Sequence, residues 1–306
     1  MAESGNEKVE IVRESPTFFR VFSSHLFDFF LTLILTATLL FPLSIGYMST
    51  PSAKEANATR ETIQIESGLY IKDEGHITNI ADYYSKLGYT YNEISDSLSP
   101  VLNKFFTEYI NGELPSSNKI YLDKKIEAKG KAGESLFDNS GTRIYTNPDY
   151  DQTYSSFYIS VAKDFAPGFL GYKANYLASR RTIIILQFAA FETSLLLSYL
   201  IFYILFPLFF HRGKQTLGKK LSGIYLLGGD GYSPSIRRFL LSALFHYIFF
   251  FLLGPATLMA PYFISLTMMG VRNQRQSLTE YVFALFPVLG KKEEIFETEE
   301  ELLRNQ

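Results

Sequence analysis

Three long apolar blocks constrain this chain more than any other feature: Phe18 to Met48, Thr182 to Phe210 and Phe239 to Gly270. A bilayer's hydrocarbon core asks for roughly 20 apolar residues in a helix, and each block meets that length. A soluble domain would spread its apolar residues in shorter periodic runs. Here the mean hydropathy is near zero because the charged residues, 20 % of the total, crowd between the blocks. A formal net charge of -2 gives no general attraction to nucleic acid, so no nucleic-acid partner is expected. The absence of cysteine excludes disulfide and thiol chemistry.

The first block is preceded by Ser15-Pro16, which reads as a helix start with Ser as cap and Pro at the first helical position. Leu26 to Ile45 carries one charge, Asp28. A cleaved signal peptide would have a shorter apolar core, about 7–15 residues, and a basic leader. This leader holds Glu3, Glu7, Glu10 and Glu14, so a retained span is the better reading. The second block follows Arg180-Arg181 and contains one charge, Glu192. The third lies between Arg237-Arg238 and the pair Arg272 and Arg275. As one straight helix it would measure about 46 Å, more than the core needs. Gly254-Pro255 interrupts it and Pro261 follows. With basic residues at both ends, a broken pair of helices at 239–270 that enters and returns is favoured over one tilted, kinked span.

Between the second and third blocks, Arg212, Lys214, Lys219, Lys220, Arg237 and Arg238 face a single acid, Asp230. That excess marks residues 211–238 as a cytoplasmic loop. The resulting order is a cytoplasmic segment 1–17, a first transmembrane helix 18–48, an extracytoplasmic domain 50–178 and a second transmembrane helix 182–210. The basic loop, the broken pair and a cytoplasmic segment with an acidic tail, 271–306, complete a multi-pass cell-membrane protein. Arg180-Arg181 opposes this orientation, but long translocated domains are less sensitive to flanking charge.

Residues 50–178 are too many for a simple loop. Thr62 to Lys72, Lys119 to Lys129, Thr142 to Thr146 and Ser155 to Ala162 have strand character. Tyr91 to Ile110 repeats apolar residues at helical spacing, and turns are expected at Asp138 to Gly141 and Asn147 to Asp149. The fold class is therefore mainly α: a polytopic helical membrane protein with an inserted extracytoplasmic α+β domain. The many tyrosines of the insert could form a binding face, although rim packing is the commoner use.

Arg20 and Asp28 in the first block, then Gly213, Thr216, Gly218, Lys219, Gly223, Asp230, Gly231 and Arg237 or Arg238, and finally Arg275, Gln276, Leu278 and Glu280, form a long ordered pattern. It resembles the RDD family of membrane proteins, named for an arginine and two aspartates, with Glu280 in the place of the terminal aspartate. The resemblance covers the apolar blocks and the basic loop but not the large insert. It implies architecture more than activity; transport is the function often associated with the family.

Asp28 lies about 12 Å along the helix from Arg20, below the interface, where an unpaired carboxylate costs about 2.5–3.5 kcal/mol. It reads as a proton or cation site, or as half of an ion pair with Arg20, Arg237 or Arg238. Glu192, roughly 15 Å into its helix, reads as a second pathway carboxylate or as a protonated, hydrogen-bonded one. Glu280 joins these as a transport or ion-pair residue. His25 and His246 read as packed rings rather than ligands. Lys214, Lys219, Lys220, Arg237 and Arg238 are expected to face anionic lipid headgroups. The Gly213 to Lys219 stretch is not a phosphate loop, since position 220 is Lys and no strand precedes it. No catalytic constellation, metal motif or cofactor is indicated. Two functions stay open: transport of a cation, proton or small solute through Asp28 and Glu192, or a non-transporting accessory, assembly or sensor protein that presents the outer domain to a protein partner. Self-association is open as well. A wet cavity reaching both carboxylates would favour transport; a dry bundle with Asp28 clamped by arginines would favour the partner role.

Overall fold

The structure, a computed structural model, describes residues 14–145, 147–210, 212–290 and 295–304. The acidic leader with Glu3, Glu7 and Glu10 and the beginning of the acidic tail lie outside the described residues. The chain divides into two compact units, one of residues 1–43 with 190–306 and one of residues 44–189.

Three helices are long and apolar enough to cross a membrane: Phe18–Met48, Ala174–Phe209 and Ile236–Ala256. The first begins at Phe18, not at Ser15-Pro16, because the Thr17 carbonyl takes the amides of Arg20 and Val21 at 3.1 and 3.2 Å. This helix buries Val21, Ser24, Asp28, Thr32 and Thr36 and exposes Phe30, Ile34 and Phe41. That is the reverse of a soluble helix. In lipid, small and polar residues make the close helix contacts and apolar ones face the hydrocarbon. The threonines satisfy themselves locally, Thr32 donating to the Asp28 carbonyl and Thr36 to that of Thr32.

The second helix begins eight residues before the apolar block that announces it, and opens into a π turn at Leu200–Leu205. The third is capped by Ser235, whose hydroxyl accepts from the Arg238 amide. After a second π turn, Tyr247–Leu252, it ends at Ala256. Leu258 and Met259 then take left-handed φ of 51° and 63°, and a helix Ala260–Val271 follows with Pro261 in its first turn. The chain doubles back here. The rings of Phe250 and Tyr262 meet edge to face at 4.9 Å. Phe245 on one limb reaches Phe283, and Ser265 on the other accepts from the Leu278 amide. The third block is thus a broken pair. A short helix Leu278–Val282 and an antiparallel strand pair, Ile224–Leu227 with Phe286–Leu289, complete this unit.

The insert is mainly helical, which corrects the α+β expectation. Helices cover Pro51–Glu66, Ile80–Lys86, Tyr91–Lys104, Ser117–Glu127 and Asp151–Ser160. A hairpin pairs Tyr70–Asp73 with His76–Asn79. The expected strand Thr62 to Lys72 is helix as far as Glu66, and only Tyr70 to Lys72 enter the hairpin. Lys119 to Lys129 and Ser155 to Ala162 are helical instead: Tyr121 and Lys125, then Tyr154, Tyr158 and Val161, are buried at three- or four-residue spacing. That is the helical period, and short alternating runs within it mimic a strand. Among the described residues of the expected strand Thr142 to Thr146, Arg143 forms an isolated bridge to Phe137, and Thr146 lies outside the described residues. The helix at Tyr91 is as expected, with a capping box between Thr90 and Glu93. So is the turn after Asp138, whose carboxylate accepts the Ser140 and Thr142 amides, both at 2.9 Å. Tyr121, Tyr154 and Tyr158 sit in the core, Tyr121 stacked 4.6 Å from Phe106, so these tyrosines pack rather than form a face.

Candidate functional site

Asp28 is fully buried on the first helix. One carboxylate oxygen accepts the Thr216 hydroxyl and the other the Gly218 amide, the latter at 2.7 Å. Both donors come from the Gly-rich loop. Thr216 caps the short helix Leu217–Leu221, and its hydroxyl also accepts from the Lys219 amide. Gly218 has to be glycine: a Cβ there would lie 2.1 Å from the Ser24 carbonyl oxygen of the first helix. Thr and Gly at this spacing let loop backbone touch helix backbone. The loop does hold an anion, on the Thr216 hydroxyl and the Gly218 amide, but the anion is the protein's own Asp28.

The next residue carries the second half of the junction. Lys219 is buried, and its Nζ lies 3.2 Å from Glu280 Oε1. Glu280 is also buried and forms a capping box with Ser277, taking the Ser277 amide on Oε2 at 2.7 Å. His25 Nε2 stands 3.6 Å from Oε1, too long for a hydrogen bond but close enough for attraction if the ring is protonated. Burial pushes the Glu280 carboxyl up; the Lys219 ammonium, the neighbouring His25 and the Ser277 amide outweigh it and hold the group well below the usual carboxylate range. Glutamate reaches Lys219 from a helix start where the shorter aspartate would fall back by one methylene. First helix, basic loop and C-terminal segment are therefore tied together by two carboxylates and three loop residues, Thr216, Gly218 and Lys219.

The remaining marked residues are not brought together. Arg20 is exposed and makes no ion pair among the described residues. Asp28 is held by none of the arginines considered for it. Arg237 is exposed, and Arg238 donates to the Phe283 and Ala284 carbonyls at 2.7 and 3.3 Å. Arg275 donates to the Met269 and Gly270 carbonyls, closing the helix Ala260–Val271, and Gln276 donates to the Leu285 carbonyl. Glu192 is half-buried beside the Tyr247 hydroxyl, away from Asp28's partners. The lipid-facing reading of the basic loop needs correction at two positions. Lys214 and Lys219 are buried, Lys219 because Glu280 draws it inward. Burial lowers the Lys214 pKa, with Glu297 acting against that. Lys220 is exposed, its ammonium 3.5 Å from the centre of the Phe210 ring.

Sequence reasoning missed His25 as a neighbour of Glu280, and Thr216 and Gly218 as ligands of Asp28. A signal existed: His25 and Asp28 are three apart and share a helix face.

Two cavities flank the junction. One of about 50 Å³ is lined by His25, Lys219, His246 and Glu280. The other, of about 340 Å³, is apolar. Neither is lined by Asp28 or Glu192. Among the described residues, no group of three or more acidic or histidine side chains is placed to hold a metal ion.

The family model described as "RDD family" matches residues 168–281. The match takes in the second helix, the Gly-rich loop, the broken pair and Glu280, and leaves out the first helix and most of the insert. No curated protein and no solved structure matches the chain.

Proposed function

We propose that this chain, whose residues 168–281 match the model of the RDD family, acts as a non-transporting membrane scaffold that presents its inserted domain to a protein partner outside the cytoplasm. One observation carries this reading: the buried carboxylates of the family pattern are already engaged. Both oxygens of Asp28 hold loop donors, and Glu280 holds Lys219 and the Ser277 amide. A cation or proton crossing here would have to break the bonds that join the elements. In the topology that the basic loop suggests, the N-terminus and loop 211–238 are cytoplasmic and residues 50–178 are outside. Lys220 and Arg237, both exposed, are then left to meet anionic headgroups. The insert has a core of its own, built on Leu98, Leu102, Phe105 and Phe106, as a presented module requires. It needs no cofactor and performs no catalysis.

Transport remains the second reading, favoured by Glu192. It is a half-buried carboxylate within an apolar helix, with a tyrosine hydroxyl beside it. Sealed proteoliposomes decide between the two. The scaffold reading expects proton and sodium flux no greater than in protein-free vesicles. Saturable flux that disappears in Glu192→Gln would establish transport instead.

A further inference from the structure

The apolar cavity of about 340 Å³ lies between the first helix and the two limbs of the broken pair. Phe22, Leu26 and Phe29 form one wall; Phe250, Tyr262 and Leu266 form the other. His25, His246 and Ser277 line both this chamber and the small polar one that reaches Lys219 and Glu280. Ligand pockets have this character: roughly 300–1,000 Å³, apolar walls and a few placed polar groups.

Three observations describe an occupant. The floor is unfinished: His25 Nε2 is buried with no hydrogen-bond partner, and Glu280 Oε1, 3.6 Å away, has the Lys219 ammonium as an ion-pair partner but accepts no hydrogen bond. A buried polar atom left so is costly, and a hydroxyl, which donates and accepts at once, completes both. The floor is also charge-balanced. Lys219 lies 3.2 Å from Glu280, so a charged head would enter with no counter-ion. Finally, the rim faces outward and is apolar, Phe263 at 65 % and Met259 at 42 % exposure, so in a bilayer it opens onto hydrocarbon. The helices around it are locally rebuilt as well. Tyr203 and Phe250 line the cavity from the two π turns, a feature that concentrates at functional sites.

We propose that this cavity binds one single-chain, hydroxyl-headed lipid drawn sideways from the bilayer, its chain in the large chamber and its hydroxyl between His25 and Glu280. The site belongs to the membrane unit and is independent of what the insert binds.

Photolabelling of the full chain in phosphatidylcholine nanodiscs tests this, with diazirine-bearing hexadecanol as the probe and the matching hexadecane and palmitate as comparisons. Saturable labelling by the alcohol is expected at Phe22 to Phe29 and Tyr262 to Leu266. It should exceed labelling by either comparison probe by about tenfold, the effect of one well-made polar contact. Leu266→Trp, which fills the chamber from its rim, and His25→Phe should each remove that excess. Equal labelling by hexadecane, or labelling that never saturates, would mean ordinary lipid solvation and overturn the proposal. Preference for palmitate would overturn the uncharged head. The probe comparison uses the unaltered chain, so a variant that fails to fold leaves the test standing.

Discussion

Gly218 is where a single added carbon has the largest consequence. Its missing side chain lets the loop amide reach Asp28, and a Cβ would stand 2.1 Å from the Ser24 carbonyl and 3.0 Å from the Asp28 carboxylate. Backbone cannot yield as a flexible side chain does. Gly218→Ala should therefore cost about 1–3 kcal/mol, as overpacking of tight sites does. The measurement is the thermal midpoint in detergent, with Gly223→Ala alongside. Gly223 has open space around its Cβ position but a φ of +64°, so it reports strain without the clash. Lys219 and Glu280 make a second residue-scale case. Removing one member leaves a buried charge uncompensated, a loss of about 3–5 kcal/mol, whereas removing both does not. Lys219→Met alone should be less stable than Lys219→Met with Glu280→Gln. Acidity gives a separate check. The folded pKa of Glu280 lies below its ordinary value of 4.5, so the pair's contribution is full above that pH and fades as pH falls below it. The stability difference between wild type and Glu280→Gln should shrink on acidification below about pH 4.5 and stay constant from there to neutrality. A difference that widened in acid would contradict the pairing.

At the scale of elements, the apolar blocks were legible because lipid demands a length and a composition that little else produces. The block 18–48 is one helix, Phe18–Met48, and the break after Gly254-Pro255 accords with proline chemistry. The first helix starts two residues beyond the expected Ser15 cap: Thr17, not Ser15, carries the carbonyl that takes the first helical amides. In the insert, polar helices with few apolar residues were misread as strands. The site was half legible: the sequence marked Asp28, Lys219 and Glu280, but their pairing depends on contacts across some 190 and 60 residues, which local pattern cannot supply. The strand pair Ile224–Leu227 with Phe286–Leu289 escaped notice for the same reason. It is open to a direct test, since the chain has no cysteine of its own. Tyr225 and Val288 are cross-strand partners, whose Cβ atoms are about 4.5–5.5 Å apart in such pairs, so Tyr225→Cys with Val288→Cys should form a disulfide under mild oxidation. Tyr225→Cys with Leu289→Cys should not, because the neighbouring residue points to the other face. Mass spectrometry of tryptic peptides reads the difference, and equal cross-linking of both pairs would dissolve the proposed register.

For the whole molecule the decisive property is that the insert carries its own core while the apolar helices carry theirs. Leu98, Leu102, Phe105, Phe106, Ile110 and Leu136 are buried within the insert, and hydrogen bonds from the Asn79 side chain to the Ala162 carbonyl and from Tyr109 to the Ile63 carbonyl close it across its own length. A module of this size can bury enough apolar surface to fold alone. The helix Pro51–Glu66 has to be kept, because Ile63 belongs to that core and Thr50 caps its start. A fragment from Thr50 to Tyr172 should then be soluble and monomeric, with a helix-dominated circular dichroism spectrum and a cooperative thermal transition. A strand-rich spectrum would return the insert to the α+β class. A spectrum without a transition would mean that it folds only in the company of the membrane helices or a partner, and a domain that cannot stand alone is a poor candidate for one displayed to a partner. Cooperative unfolding of the fragment is therefore the result on which the scaffold reading most depends.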